Sequence, residues 1–211
     1  MRVGVLASGG GTNLQALLDT AHGRPAAEPG SGEPSTIEVV AVASDKPGAT
    51  ALERAARAGV PTRVFERAAY ADRAARDAAI ADWLQEQGVE LVVLAGYMAI
   101  LDAGFIGRFA DRIVNVHPSL LPAFPGLRAV EQALDHGVKV FGVTVHFVDE
   151  GVDTGPIILQ RAIELPEPGD PDAVLAALRP LEHALLPEAV RLIAAGRVRR
   201  DPGNPRRTIV A

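Results

Sequence analysis

An amide and an imidazole stand two residues apart at the end of an apolar segment, as Asn115 and His117 in the run Ile-Val-Asn-Val-His. In a β-strand, this spacing points both side chains to the same face. Pro118 and Pro122 follow and end the strand, so the pair lies at the carboxyl end, where open α/β sheets build their sites. The pair therefore suits a reaction that stabilises an oxyanion and delivers a proton.

A carboxylate is needed to orient or charge this imidazole, and Asp153 is the best candidate. It lies in a polar, glycine-bounded connection that is unsuited to a core element. A nearby carboxylate stabilises the imidazolium and raises the pKa of the histidine. Asp149 and Glu150 are the other acids in the connection, and the sequence leaves the choice open. His146 lies on a strand and could face the site, but we expect a structural role for it. Without clustered ligand spacing we expect no metal here.

A glycine-rich turn, Ser-Gly-Gly-Gly-Thr-Asn at residues 8–13, joins the first predicted strand to the first helix. Glycines let backbone N–H groups turn inward, and a helix N-terminus attracts anions, so the turn suits a phosphate. Thr12 and Asn13 add a hydroxyl and an amide. The lysine of a Walker loop is missing, and a dinucleotide fingerprint would require glycine in place of Leu14. Asp45, after the second strand, keeps dinucleotide binding open, as does a structural turn without ligand.

Composition excludes several classes of protein. The chain has 211 residues, 48% of them hydrophobic, a net charge of −5 and no cysteine. Thiolate nucleophiles, disulfides and cysteine-ligated zinc are therefore excluded, and binding of nucleic acid by general electrostatics is disfavoured. The longest apolar run, residues 91–101, is too short to span a bilayer, and the N-terminus has a strand pattern rather than a signal peptide. We expect a cytoplasmic protein, monomer or homodimer, with small-molecule partners and no membrane or nucleic-acid partner.

The elements that must position these residues alternate along the chain. Helices are predicted at residues 13–21, 50–58, 71–87, 102–109, 127–136 and 172–195, and strands at 3–7, 37–43, 62–65, 91–95, 112–117, 138–148 and 157–165. Repeated βα units indicate an α/β fold with a doubly wound, mostly parallel sheet, and the last two strands predict an antiparallel addition near the C-terminal part. We predict one domain over residues 1–196, with an inserted solvent loop at 23–35 and a basic, partly disordered tail at 197–211.

Four motifs recur in an order that resembles the phosphoribosylglycinamide formyltransferase family, at residues 8–13, 94–98, 115–122 and 152–156. The resemblance extends from residue 1 to about residue 193, apart from the insertion. It implies a Rossmann-like formyltransferase fold, and an enzyme of de novo purine biosynthesis and one-carbon metabolism. Such an enzyme transfers the formyl group of 10-formyltetrahydrofolate, its donor cosubstrate, to the amine of N1-(5-phosphoribosyl)glycinamide.

The resemblance also implies roles for individual residues. The nucleotide would be held by Gly11, Thr12 and Asn13 at its phosphate and by Glu182 at its ribose. The folate would be contacted by Arg73, Met98, Ala99, Ile100, Leu101 and Asn115. Asn115 would hold the formyl oxygen, His117 would donate the proton, and Asp153 would raise the pKa of His117.

Two departures from relatives concern affinity rather than chemistry. Ala99 stands where some family members carry a basic residue, and Arg179 stands where some carry a glutamine. The implied mechanism is direct attack of the amine on the formyl carbon through an oxyanionic tetrahedral intermediate. No covalent enzyme intermediate is needed, which agrees with the absence of cysteine and the presence of two lysines.

Several alternatives stay open from sequence. Within the same chemistry they are another folate-dependent formyltransferase, acting on methionyl-tRNA or a sugar amine, and 10-formyltetrahydrofolate deformylase; we expect an additional C-terminal domain in the tRNA enzyme and an additional N-terminal one in the deformylase. The phosphate-suited turn favours a phosphorylated acceptor. A non-catalytic nucleotide-binding module would not need a proton donor such as His117. A dinucleotide-dependent oxidoreductase would bind a nicotinamide cofactor.

Overall fold

The computed structural model describes residues 1–26 and 36–211. Contacts divide the chain into two compact units, Met1–Val114 and Asn115–Ala211. Most of the predicted insertion, residues 27–35, lies outside the described residues. A single domain over residues 1–196 stays a prediction.

The first unit is built on a mainly parallel sheet. Its strands are β1 (Arg2–Leu6), β2 (Arg24–Pro25), β3 (Thr36–Ser44), β4 (Thr62–Val64) and β5 (Leu91–Leu94). Its helices are α1 (Thr12–Thr20), α2 (Thr50–Arg57), α3 (Arg73–Glu86) and α4 (Ala103–Arg108), with a 3₁₀ turn at Arg67–Ala69. Strand β1 pairs in parallel with β3 and β5, and β4 pairs in parallel with β3. The segments that follow β1, β3 and β5 therefore leave the sheet at the same edge.

The core of this unit reflects the burial of both faces of a parallel sheet. Val3, Val5, Val92 and Val93 are fully buried, as near-continuous apolar strands predict. Helix α3 begins after Asp72, whose carboxylate accepts a hydrogen bond from the Ala75 N–H. That cap fixes where the helix starts, next to the edge where the parallel strands end.

The second unit carries the antiparallel addition. Strand β6 (Ile113–His117) begins in the first unit and ends in the second, which also contains β7 (Val140–Phe147), β8 (Ile157–Glu164), β9 (Val198–Asp201) and β10 (Asn204–Val210). Its helices are α5 (Ala129–Asp135) and α6 (Pro171–Ala194), and α6 packs on β7 and β8. Strands β7 and β8 form an antiparallel pair. The predicted α/β class, with a mostly parallel sheet and late antiparallel strands, is confirmed.

The basic tail differs from its prediction as a partly disordered segment. It forms a β-hairpin, in which β9 pairs with β10 and β10 lies beside β8 at Ile157. The sequence signal that we missed is the turn Asp-Pro-Gly-Asn at residues 201–204, whose Asp201 carboxylate accepts from the Gly203 N–H. Such turn chemistry between two strand-forming runs specifies a hairpin even when many of the side chains are charged.

Within the described residues, no helix combines the length and the hydrophobicity required to cross a membrane.

Candidate active site

The glycine-rich turn has a backbone that requires glycine. Gly11 caps α1 with a φ of 67°, and a Cβ atom there would lie 2.6 Å from the Cα of Ala51. The turn is held in place from α2, because the Ala51 N–H donates to the Gly9 carbonyl and Arg54 donates to the Gly10 carbonyl. The N-terminal turn of α1 is thereby fixed beside glycines that leave space for an anion.

A cavity of about 670 Å³ lies in the same unit. Four predicted folate-binding residues line it together, namely Arg73, Met98, Ala99 and Ile100. Leu101 is not among the lining residues and is buried. The other lining residues lie outside the predicted folate site, namely Asp45, Arg67, Tyr70, Ala71, Asp72 and Arg76.

The loop that carries the apolar wall of this cavity is anchored at both ends. At its start, Ser8 donates its N–H to the Gly96 carbonyl, and the Ser8 hydroxyl accepts from the Met98 N–H at 2.9 Å. At its end, the carboxylate of Asp77 accepts from the Asp102 N–H at 2.8 Å. The side chains of Met98 and Ile100 are nevertheless 61% and 64% exposed. Large apolar side chains on an anchored, exposed loop favour contact with a flat apolar ligand.

The inner wall of the cavity contains a buried ion pair. Arg76 donates to one oxygen of Asp77 from both Nε and Nη2, at 2.9 and 2.7 Å, and both side chains are buried. Burial opposes the charge of Arg76, but the hydrogen bonds and charge of Asp77 outweigh it and raise the pKa of Arg76 above its ordinary value. Asp45 also lines the cavity, and its buried Oδ1 has no hydrogen-bond partner among residues 1–26 and 36–211. The wall thus contains a charge-compensated ion pair and one buried carboxylate oxygen without a partner among these residues.

In the second unit, the structure brings the predicted catalytic residues together. The Nδ1 atom of His117 lies 3.4 Å from Oδ2 of Asp153, and Nδ2 of Asn115 lies 3.4 Å from Oδ1 of the same carboxylate. Of the three acids in the connection, Asp153 is therefore the one that reaches the imidazole. Asp149 instead accepts from the Gly151 N–H within its own turn.

The electrostatics of Asp153 favour its ionised form. Burial alone would raise its pKa, but the contact with the His146 ring, a hydrogen bond from the Gly126 N–H at 2.8 Å, and the neighbouring His117 ring outweigh burial and lower the pKa to about 2. A buried carboxylate that stays charged near neutrality stabilises an imidazolium beside it. The cluster can therefore hold a protonated histidine next to an amide donor, as an oxyanionic intermediate requires.

Two groups in this cluster were missing from the predicted site. His146 was given a structural role, but its Nε2 lies 3.3 Å from Nδ2 of Asn115 and 3.5 Å from Oδ1 of Asp153. The backbone carbonyl of Phe124, a residue with a φ of 53°, lies 2.9 Å from Nε2 of His117. The position of His146 at the end of an alternating strand was a usable signal. No sequence signal indicates a backbone carbonyl.

Glu182 lies in α6 of the second unit and is half-buried, and Arg179 lies one turn earlier and is exposed. The ribose contact of Glu182 stays a prediction.

Residues 1–190 match the family described as formyl transferase, and the chain therefore belongs to the formyl transferase family.

Particular relatives are more specific. The chain is 40% identical over 187 residues to the phosphoribosylglycinamide formyltransferase of Bacillus subtilis. The matched region covers 89% of this chain and 91% of that protein. It is 43% identical over 199 residues to the trifunctional purine biosynthetic protein adenosine-3 of Bos taurus, and there it spans 94% of this chain but 19% of the relative's length. The structure is similar to that of glycinamide ribonucleotide transformylase 1 from Symbiobacterium toebii, with a TM-score of 0.90, 48% identity, and coverage of 100% of this chain and 93% of that chain. The family resemblance drawn from the four motifs is confirmed.

Proposed function

We propose that this chain is a folate-dependent formyltransferase that transfers the formyl group of 10-formyltetrahydrofolate to the amine of N1-(5-phosphoribosyl)glycinamide, a step of de novo purine biosynthesis. The observation that carries the proposal is the cluster of Asn115, His117 and ionised Asp153. The relatives whose names describe this activity support the choice of substrates. We also propose that the protein acts in the cytoplasm on small molecules, as a monomer or homodimer, without a metal.

In this reaction the cluster stabilises a developing negative charge and helps to move a proton. The acceptor amine attacks the formyl carbon, and the formyl oxygen becomes an oxyanion. The Asn115 amide donates to that oxygen and protonated His117 places a positive charge beside it, each contributing about 3–4 kcal/mol by analogy with other oxyanion sites. Protons then move from the attacking amine to the leaving nitrogen of the folate. The Asp153 carboxylate lies 3.4 Å from the His117 ring and would favour a positive charge on it.

The phosphate of the nucleotide is assigned to the N-terminal turn of α1. Gly11 gives that turn its left-handed backbone, and Thr12 and Asn13 begin the helix that follows. A helix N-terminus that presents backbone N–H groups favours a dianion without requiring a lysine. Glu182 is assigned to a ribose hydroxyl, for which a carboxylate is a suitable acceptor.

The folate is assigned to the cavity of the first unit and to Asn115. Met98, Ala99 and Ile100 would face its flat ring system, and Arg73 would bind a carboxylate of its tail. Leu101 is assigned to the same folate site, with its side chain buried beside this loop. The residues present fit such a ligand, because the cavity combines exposed apolar side chains with Arg67 and Arg73, which are exposed and have no ion-pair partner among the described residues. Arg67, the second exposed arginine of the cavity, would supply a positive charge that position 99, an alanine in this chain, does not supply.

The test is release of tetrahydrofolate from 10-formyltetrahydrofolate, followed by absorbance, with and without the ribonucleotide. We expect turnover that depends on the ribonucleotide and that falls to background in His117→Ala. Turnover of folate without any acceptor would identify a deformylase instead. Absence of turnover in both conditions would overturn the proposal.

A further inference from the structure

The ring of His146 is held in one tautomer by a backbone carbonyl. Its Nδ1 lies 2.8 Å from the Phe147 carbonyl oxygen, and the side chain is 1% exposed. A carbonyl oxygen only accepts hydrogen bonds, so Nδ1 must carry the proton. In a neutral ring, the other nitrogen, Nε2, is then an acceptor.

That acceptor faces the amide of Asn115. The Nδ2 atom of Asn115 lies 3.3 Å from Nε2 of His146 and 3.4 Å from Oδ1 of Asp153. With its NH₂ group on this side, the amide meets two acceptors. With the amide flipped, its oxygen would face the same two acceptors and repel both. One hydrogen of the NH₂ group is thus anchored, and the other remains for a ligand oxygen.

Protonation of His146 would undo this arrangement. Its Nε2 would become a donor 3.3 Å from the NH₂ group, and it would compete for Oδ1 of Asp153, which lies 3.5 Å away. The other oxygen of Asp153 already faces His117 and accepts from the Gly126 N–H. The titratable groups brought to His146 are Asp153 and, across that carboxylate, His117. Each oxygen of the carboxylate thus faces one imidazole, and an unprotonated Nε2 of His146 leaves Oδ1 to the Asn115 amide.

We propose that His146 is a positioning residue: kept neutral with its proton on Nδ1, it sets the amide of Asn115 so that the NH₂ group is presented to the formyl oxygen. The role of Asn115 as donor rests on the proposed function. The tautomer of His146 does not, because both of its hydrogen bonds are made within the protein.

The direct test is ¹⁵N NMR of the wild-type protein with ¹⁵N-labelled histidine, without substrate, across the pH range around neutrality. We expect His146 to show the neutral tautomer protonated on Nδ1, which is the minor form of free histidine. A signal for the Nε2-protonated tautomer, or for a charged ring, in that range would overturn the proposal. This outcome is independent of whether formyl transfer is found.

Two variants extend the test to turnover. His146→Asn keeps a donor near the Phe147 carbonyl but leaves no acceptor for Asn115, whereas His146→Gln can place an amide oxygen near the former Nε2. We expect kcat to fall about 100-fold in His146→Asn, as for loss of an oxyanion donor, with KM nearly unchanged. The kcat of His146→Gln should be at least tenfold higher than that of His146→Asn. Equal kcat values in two folded variants would contradict the positioning role, and if neither variant folds, the NMR result still decides.

Discussion

The two units of the chain carry functional residues of opposite character. In the first, the cavity arginines Arg67 and Arg73 are exposed and make no ion pair with the described residues, and the apolar Met98 and Ile100 stand out from an anchored loop. In the second, His117, His146 and Asp153 are largely buried, contact one another and are hydrogen-bonded to backbone. Binding groups are thus left open for a ligand, while the groups that do chemistry are already organised by the fold. Substitutions should separate accordingly into effects on KM and effects on kcat.

The largest effect is expected in the buried cluster. His117→Ala or Asp153→Asn should lower kcat by about 10²–10⁴-fold, because the proton donor or the charge that sustains it is lost, while KM for either substrate changes little. Steady-state kinetics measures both. Glu150→Gln, which changes an exposed acid of the same connection, is the matched control and should behave as wild type. A rise in KM with normal kcat in Asp153→Asn would contradict the assignment of kcat effects to the second unit and KM effects to the first.

The carboxylate of Asp153 should make the free energy of unfolding depend on pH in the acidic range. Because the pKa of Asp153 falls from its ordinary 3.8 to about 2 in the folded protein, its ionised form stabilises the fold at pH above 3.8. That contribution, on the order of 2 kcal/mol, is lost as the pH falls through about 2. Denaturant unfolding should therefore show a steeper loss of stability between these pH values in wild type than in Asp153→Asn. If the stability of wild type and of Asp153→Asn changed with pH in parallel, the lowered pKa of Asp153 would be contradicted.

Gly11 offers a test in the first unit that does not involve charge. Gly11→Ala should lower the free energy of unfolding by about 1–3 kcal/mol, because an alanine there is strained at φ 67° and its Cβ meets Ala51. Gly10→Ala, where a Cβ finds open space, is the control and should unfold nearly as wild type does. Thermal or denaturant unfolding of the two variants side by side is sufficient. Equal stability would mean that the turn adapts, and that its glycines serve the ligand alone.

The smallest effect is expected for an open binding residue. Arg73→Ala should raise KM for 10-formyltetrahydrofolate about tenfold and leave kcat within twofold, as loss of one charged hydrogen bond predicts. Arg57→Ala changes an exposed arginine of α2 away from the cavity lining and should leave both constants unchanged. A fall in kcat equal to the rise in KM would show that binding at the cavity and the chemical step are not separable.

What the sequence allowed us to predict depended on local patterns. The apolar segment before Pro118 identified a strand end, so Asn115 and His117 were predicted as a pair. The turn at residues 8–13 was predicted from its consecutive glycines, which are also a local pattern. Contacts that join distant segments were not predictable in this way. Nothing near Phe124 indicates that its carbonyl reaches His117, and nothing near Arg76 indicates that it lines a cavity with Asp45. Such contacts depend on the tertiary fold, in which backbone atoms act as functional groups without any residue signature.

The hairpin of β9 and β10 has a consequence for how the molecule behaves in concentrated solution. Strand β10 covers the outer edge of β8 at Ile157, so β9 becomes the outermost strand of this unit. It has four residues, three of which are the charged Arg199, Arg200 and Asp201. A short, charged edge strand is a poor template for a strand from another molecule, whereas an uncovered apolar edge invites one. The arginine-rich C-terminal segment thus protects the protein against aggregation through its sheet edge.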